Sequence, residues 1–472
     1  MNKLYLGDCL DVLRNELEIK PESIDLIYID PPFNSKRNYS VFFDDKELQT
    51  QRMAFEDTWS LHSVGDSLTE LDTIHHDKLL ALLNAYQNIA PQVFPYLVMM
   101  TLRIIELHKV LKPTGSFYLH CDPTASHYLK TVCDAVFGVK NFRNEIIWCY
   151  KLGGRPQKGF PKKHDIILFY SKSDEFHFFD DTIRVPYESD GGYVKTGRKI
   201  VKGKVYEVNP LGKIPEDWWF LSALNRQSKE RLGYPTQKPK ALLERIIKAC
   251  SNEGDIVLDA FCGCGTTVDT AEGLNRKWIG IDIAPFAISL IKRRLQDTYG
   301  NDLSQFEVRG TPTDELSAIK LWEQNPFAFE DWWLTELEVF ATTYGKKGAD
   351  KGIDGIGQYS IPKFDESVKV GFQVKGGKVQ SKDIDALFGA ITKHKYNMGV
   401  LLTRYNPTKP MLNSATQFGQ FEAVYGYKYP KIQIMTLAEF FSGKQLNLPK
   451  DNITFKSAAT IGKGSQQNGC FA

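Results

Sequence analysis

The feature that most limits what this chain can fold into is the stretch from Ile256 to Asp282. An apolar run, Ile256-Val257-Leu258-Asp259-Ala260, opens into Phe261-Cys262-Gly263-Cys264-Gly265-Thr266-Thr267, and a helical segment follows. About twenty residues on, a second apolar run, Trp278 to Ile283, carries an acid at its end, Asp282. Strand, glycine loop, helix and strand in that order is α/β grammar. Glycines at a strand-to-helix turn let a ligand approach the backbone, and the helix N-terminus offers free N–H groups. Asp282 then stands where a carboxylate can hold both ribose hydroxyls of a nucleoside. The G-x-G-x-x-G spacing is absent and no lysine follows the second glycine, which counts against a dinucleotide and a nucleoside triphosphate. A nucleoside-type cofactor is the expectation.

A chain of 472 residues exceeds one core at roughly 100 to 200 residues per domain, so two or three units are expected. Hydrophobic content of 42% with 25% charged residues excludes global disorder and a fibrous class. No run of about eighteen uncharged apolar residues occurs, and the N-terminus lacks the layout of a signal peptide, so a cytoplasmic protein without membrane contact is expected. The one close cysteine pair, Cys262 and Cys264, has no second pair at zinc-ligand spacing, and the eight cysteines read as reduced thiols. A net charge of +2 conceals two basic runs, Lys151 to Lys172 and Lys195 to Lys204, which suit either a solvated face or nucleic-acid contact.

Along the chain, LYLGD, DCLDVLRNEL and IDLIYID open the α/β pattern, and the last runs straight into Pro31-Pro32. A polar, irregular stretch is expected between Asn38 and Pro95, then an amphipathic helix near Tyr96 to Leu111, a turn at Lys112-Pro113-Thr114-Gly115 and the strand GSFYLHCD. Residues from about 151 to 234 lose the rhythm and read as an inserted recognition region. The helix KALLERIIKACS restores it, with Leu242, Leu243, Ile246, Ile247 and Cys250 on one face. The expected division is residues 1–312, a second and smaller α/β unit over 313–447, and a disordered tail over 448–472.

Asp30 lies at the carboxyl end of an apolar strand, where open α/β sheets place their ligand crevice. Pro31 and Pro32 stiffen the turn that follows, and neither donates an N–H. The chemistry such a turn suits is the activation of an exocyclic amine on a nucleobase, a poor nucleophile because its lone pair is delocalised into the ring. Asp30 can accept one amino hydrogen and the Pro31 carbonyl the other, drawing the nitrogen toward tetrahedral geometry. Phe33 offers a stacking surface for a base swung out of a duplex.

Asp30-Pro31-Pro32-Phe33 resembles motif IV of the DNA amino-methyltransferases, and Asp259 to Thr267 resembles their motif I. Motif IV preceding motif I, with a recognition insert between them, is the order of the β-group, which methylates adenine N6 or cytosine N4. Gly7-Asp8 resembles motif III and Tyr234 to Pro239 resembles motif X. The resemblance implies a Rossmann-like sheet with helices on both faces, S-adenosylmethionine as methyl donor and double-stranded DNA as partner. It implies that Asp30, Pro31, Pro32 and Phe33 are catalytic and that Asp259, Phe261, Gly263, Gly265, Thr266 and Asp282 line the cofactor site. It further implies that Asp8 contacts the cofactor's adenine, and that Thr236 and Lys238 border its methionine end. Asp at the first motif IV position favours adenine, with cytosine N4 the alternative. Cys262 and Cys264 read as packing residues and His120 as a strand residue with a satisfied partner.

In the C-terminal unit, Asp354 precedes the strand VGFQVKGG, on which Gln373 and Lys375 share a face. These residues resemble the Mrr-like branch of the PD-(D/E)XK restriction-endonuclease fold, with Glu330 resembling its additional acid. The resemblance implies Mg²⁺ held by Asp354 and Gln373, with Lys375 assisting. Gln373 departs from the acid of the wider fold and removes one carboxylate. The expectation is a fused restriction–modification enzyme that cleaves unmodified sites, or a methyltransferase whose second unit only binds DNA.

Overall fold

The computed structural model describes residues 1–32, 38–42, 51–56, 65–73, 76–150, 156–187, 198–201, 204–207, 209–225, 228, 230–232, 234, 236–341, 352–361, 367–423, 426–452 and 454. Within them a nine-stranded sheet runs in the spatial order Trp218–Phe220, Phe142–Cys149, His164–Ser171, Leu111–Cys121, Ile24–Ile29, Ile256–Asp259, Lys277–Asp282, Asn2–Leu6, Phe306–Arg309. From Leu111–Cys121 to Phe306–Arg309 every pairing is parallel. His164–Ser171 runs antiparallel to both its neighbours.

Parallel strands are buried on both faces and so read as continuous apolar runs. Ile24–Ile29 shows how one run serves two cores. Leu26 and Tyr28 join the cluster under the helices Lys240–Cys250 and Pro285–Tyr299, while Ile27 and Ile29 join the cluster built on Phe94–Val110. The period-2 alternation of a strand makes that division. Helices thus lie on both faces, as the α/β pattern requires.

Phe94–Val110 departs from the amphipathic expectation, since all its residues except His108 and Lys109 are buried. The reason is tertiary: the helices Asp77–Ile89 and Ser126–Phe137 pack against it and cover the side turned away from the sheet. The expected turn at Lys112 to Gly115 is instead a bulge within Leu111–Cys121, opposite Asp25. Lys112 Nζ pairs with Asp25 Oδ1 at 2.6 Å across it. The stretch from Asn38 to Pro95, expected to be irregular, holds a hairpin (Asn38–Phe42 with Gln51–Glu56) and the helices Gly65–Thr73 and Asp77–Ile89. Within 151–234, His164–Ser171 is an interior strand of the main sheet and Trp218–Phe220 its edge. Residues 151–155 and 188–197 lie outside the described residues.

A second, smaller sheet follows, in the order Phe340–Ala341, Gly355–Ser360, Ser367–Lys375, Met398–Thr403, Ile432–Thr436. Helices Ser381–Lys393 and Lys409–Gln417 pack on one face, while Trp332 and Trp333 of helix Pro326–Glu336 enter the cluster on the other. The expected tail begins ordered: Asp451–Asn452 pairs with Gly355–Ser360, and Thr454 Oγ1 accepts from Gln358 N at 2.9 Å. Residues 455–472 lie outside the described residues. Helix Pro326–Glu336 also packs on Pro285–Tyr299 of the first unit, with Lys292 and Glu336 paired at 3.5 Å. No described helix is long and apolar enough to cross a membrane.

The all-round burial of Phe94–Val110 makes it a keystone of the first core. Leu97→Ala on that helix should lower stability by about 2–5 kcal/mol in urea unfolding, the cost of a cavity that cannot collapse. A loss below about 1 kcal/mol would contradict the packing described.

Candidate active site

Four neighbouring parallel strands end on acids at one edge of the large sheet. Asp30 follows Ile24–Ile29, Asp259 ends Ile256–Asp259, Asp282 ends Lys277–Asp282, and Asp8 lies just past Asn2–Leu6. Residues separated by more than two hundred positions therefore share one crevice, the carboxyl-edge location general to open α/β sheets.

Asp30 is mostly buried, and its two oxygens have different surroundings. Lys238 Nζ donates to Oδ2 in a short contact. Oδ1 is buried and has no hydrogen-bond partner among the described residues. The lysine supplies the counter-charge that a buried carboxylate needs, while the other oxygen is left as an acceptor. The sequence placed Lys238 at the border of the cofactor, and the structure joins it to Asp30. Pro31 is buried and Pro32 half-buried behind Asp30, and Phe33 lies outside the described residues.

The glycine loop is built by its two acids. Asp259 is buried and accepts from Phe261 N at 3.0 Å and from Thr267 Oγ1 at 2.5 Å. Burial pushes its carboxyl up to about 7, against the lowering pull of those two hydrogen bonds. Its contacts make it a loop-shaping residue. Asp282 accepts from Gly263 N at 2.8 Å and from Ala284 N at 2.9 Å, and burial raises it to about 6. Gly263 and Gly265 both adopt left-handed φ, at 49° and 75°. A Cβ on Gly265 would meet Ile291 at 2.6 Å, so only glycine fits at this helix start. Phe261 is half-buried against the core.

Behind the loop, Arg294 donates to Asp269 Oδ2 at 2.6 Å, to the Cys264 carbonyl at 3.1 Å and to Thr266 Oγ1 at 3.2 Å. Lys240 adds a second cation at 3.0 Å from Asp269. Burial alone would raise the Asp269 carboxyl, but Arg294 and Lys240 outweigh it and hold it below the ordinary value. Thr266 is thereby tied into the loop's scaffold. Thr267, Asp269 and Arg294 were not singled out from sequence, and only the threonine lay inside a recognised motif.

Asp8 lies just past the strand Asn2–Leu6 at the crevice edge, and its carboxylate is committed. It caps helix Cys9–Arg14 by accepting from Leu10 N at 2.8 Å, and both its oxygens accept from Arg103 Nη2, at 2.8 and 2.7 Å. Thr236 is exposed with φ at 65°, a strained backbone for a β-branched residue that costs about 1–3 kcal/mol. Cys262 and Cys264 are buried and burial raises both thiols, consistent with packing. His120 is buried between Tyr28 OH at 2.8 Å and Asp165 Oδ2 at 3.2 Å, a satisfied partner set.

In the second unit, Asp354 and Gln373 are set side by side, with Lys375 two residues further along the same strand. Gly355 pairs with Phe372, so Asp354 stands beside Gln373. Asp354 Oδ2 accepts from Val374 N at 2.7 Å, and Gln373 Nε2 donates to the Gly352 carbonyl at 3.3 Å. Gln373 Oε1 is buried with no hydrogen-bond partner among the described residues, Lys375 is half-buried at the strand end, and Glu330 is half-buried on helix Pro326–Glu336. One carboxylate with an oxygen already engaged, beside a neutral amide, is a poor fit to Mg²⁺.

A family described as "DNA methylase", the N6/N4 methylases, matches residues 24–293, more than half of the chain and the whole span from the Asp30 strand through the glycine loop. The chain belongs to the N6/N4 DNA methylase family. Among its relatives, the type II methyltransferase M.HpaI of Haemophilus parainfluenzae is 29% identical over 71% of this chain and 87% of its own length. M1.MboII of Moraxella bovis is 30% identical over 60% and 92%, and the DNA adenine methyltransferase YhdJ of Escherichia coli K12 is 30% identical over 61% and 81%. The cytosine-N4-specific PvuII DNA methyltransferase structure superposes with a TM-score of 0.40 at 16% identity, over 62% of this chain and 86% of that one. Residues 328–441 of the methylase match a second family, described as NACHT-associated inactive Restriction Endonuclease 1.

The raised carboxyls at the crevice carry a pH signature. Asp259 is held near 7 against an ordinary 3.8, so the folded state binds its proton more tightly than the unfolded chain does. Its contribution is full below about pH 4 and is lost as the pH rises toward about 7, on the order of 4 kcal/mol over that window. Asp259→Asn should flatten this limb of the stability–pH curve in urea unfolding; an unchanged slope would contradict the burial inferred for the carboxyl.

Proposed function

We propose that the chain methylates adenine N6 in double-stranded DNA, on a base swung out of the helix, with S-adenosylmethionine as donor. The observation that carries this reading is the asymmetric Asp30 carboxylate, with Oδ2 held by Lys238 and Oδ1 a buried acceptor without a partner among the described residues. An exocyclic amine satisfies that acceptor with one N–H and offers the other to the Pro31 carbonyl, which aims the nitrogen lone pair away from the ring. Asp30 then stands ready to receive the proton that the nitrogen sheds when it gains a methyl. Phe33 supplies the stacking face.

The loop fits a nucleoside bearing a sulfonium side chain. Asp282 accepts from two backbone N–H groups, and its remaining lone pairs suit ribose hydroxyls. When bound, S-adenosylmethionine supplies an electrophilic methyl group. Gly263 and Gly265 keep side chains away from it, and the rim near Gly7-Asp8 takes its adenine. Asp at the first motif IV position and the adenine-specific name of the relative YhdJ support adenine over cytosine N4. The basic, aromatic stretch within 151–234 suits phosphate positioning and base contacts. The division at about residue 312 assigns methylation to the first unit.

We infer that the second unit contacts DNA without cutting it. Its matching family is described as inactive, and Asp354 is the only carboxylate beside Gln373 and Lys375 among the described residues of that strand pair. Unmethylated DNA incubated with the protein and Mg²⁺ should stay intact on gels; cleavage abolished by Asp354→Ala would establish the nuclease instead.

The main claim is tested by expression in a methylation-free host, with N6-methyladenine and N4-methylcytosine measured by mass spectrometry in digested DNA. Wild type should yield methyladenine, and Asp30→Asn should lower it at least a hundredfold, on the scale of losing one preorganised acceptor. Methylcytosine alone would move the target to cytosine, and neither product would sink the proposal.

A further inference from the structure

The junction between the two units holds a small apolar cluster: Leu232, Tyr234, Cys264, Phe286 and Leu290 from the methylase unit, and Phe340 from the second. Phe340 is only 4% exposed although it lies on Phe340–Ala341, the outermost strand of the second sheet. Its partners in that cluster all belong to the other unit. Cys264 sits between the two glycines of the loop, and the Tyr234 ring stacks with Phe286 at a 6.4 Å centroid distance and 15°. The same ring covers Gly263 so closely that a Cβ there would lie 3.3 Å from Tyr234 Cε1.

Tyr234 also begins the short segment that ends in Lys238, the residue gripping Asp30. That segment contains the strained Thr236, a conformation that persists only when its surroundings impose it. Gln237 supplies part of the restraint, accepting from Leu232 N at 2.9 Å and donating to the Glu230 carbonyl at 2.6 Å. The apolar cluster supplies more at the Tyr234 end. Phe340 in turn is seated by helix Pro326–Glu336 packing on Pro285–Tyr299, the helix that carries Phe286 and Leu290.

We propose that Phe340 is a positioning residue for methyl transfer: through this ring the second unit holds Tyr234 against the glycine loop and steadies the segment that delivers Lys238 to Asp30. The inference rests on the reading of that loop as the S-adenosylmethionine site. It makes the restriction-endonuclease-like unit a part of the methylase's cofactor site, and by linkage the cofactor must bias how the second unit is seated.

The test titrates the full chain with S-adenosylmethionine by calorimetry. Phe340→Ala should raise Kd roughly five- to tenfold, with KM for the donor rising more than kcat falls. Phe340→Leu should restore most of the affinity. Met411→Ala, a cavity in the second unit's outer cluster, should lower its stability while leaving Kd within about twofold of wild type. Hydrogen exchange on the wild type keeps the test independent of whether Phe340→Ala folds: donor binding should slow exchange at Phe340 and Ala341 as well as in the loop. Equal Kd for Phe340→Ala and wild type, or unchanged exchange at that strand, overturns the proposal and leaves the site's reading intact. Absence of donor binding by the wild type overturns both.

Discussion

Four carboxylates crowded on one edge of a parallel sheet are the constraint around which the rest of the first unit is arranged. Asp30, Asp259, Asp282 and Asp8 end adjacent strands, and each is compensated differently. A lysine takes one oxygen of Asp30, and an arginine and a helix N-terminus take Asp8. Asp259 and Asp282 have backbone N–H groups, joined at Asp259 by a threonine hydroxyl, and burial favours their protonated forms. Leaving all four charged and unpaired would cost far more than a domain's net stability. The compensating groups shape the crevice, and among the described residues Asp30 Oδ1 is the oxygen of the four carboxylates that they leave buried without a partner.

The Asp30–Lys238 contact shows what a chain this long can do with a short reach. Its partners are 208 positions apart, and the intervening chain supplies half the sheet, the buried helix Phe94–Val110 and the basic, aromatic stretch. Bringing the two ends together depends on the parallel pairing of Ile24–Ile29 with Ile256–Asp259. Asp30 and the glycine loop are therefore positioned by the same pair of strands. The second unit follows the same logic on a smaller scale, with Asp354 and Gln373 set side by side by one antiparallel register. One oxygen of its carboxylate, however, already accepts from Val374 N.

Much of the crevice was legible because its residues sit in short motifs whose local geometry is self-contained. A glycine loop between a strand and a helix, an acid ending the next strand, and an acid followed by two prolines each declare their place without long-range information. Phe94–Val110 was misread as amphipathic because periodicity reports one covered face, and two further helices cover the other. The bulge at Lys112 to Gly115 was misread as a turn because proline and glycine mark a departure from ideal strand without saying how large it is.

The sequence alone determined the α/β class and the crevice edge, because strand periodicity and turn residues are local properties. Only the tertiary structure decided which oxygen of Asp30 has no partner among the described residues, that Lys238 pairs with the other, that Asp8 is taken by Arg103, and that Phe340 packs with residues of the first unit. Those are pairings across long sequence separations. Charge compensation and burial select them in the folded chain, and no local propensity encodes them.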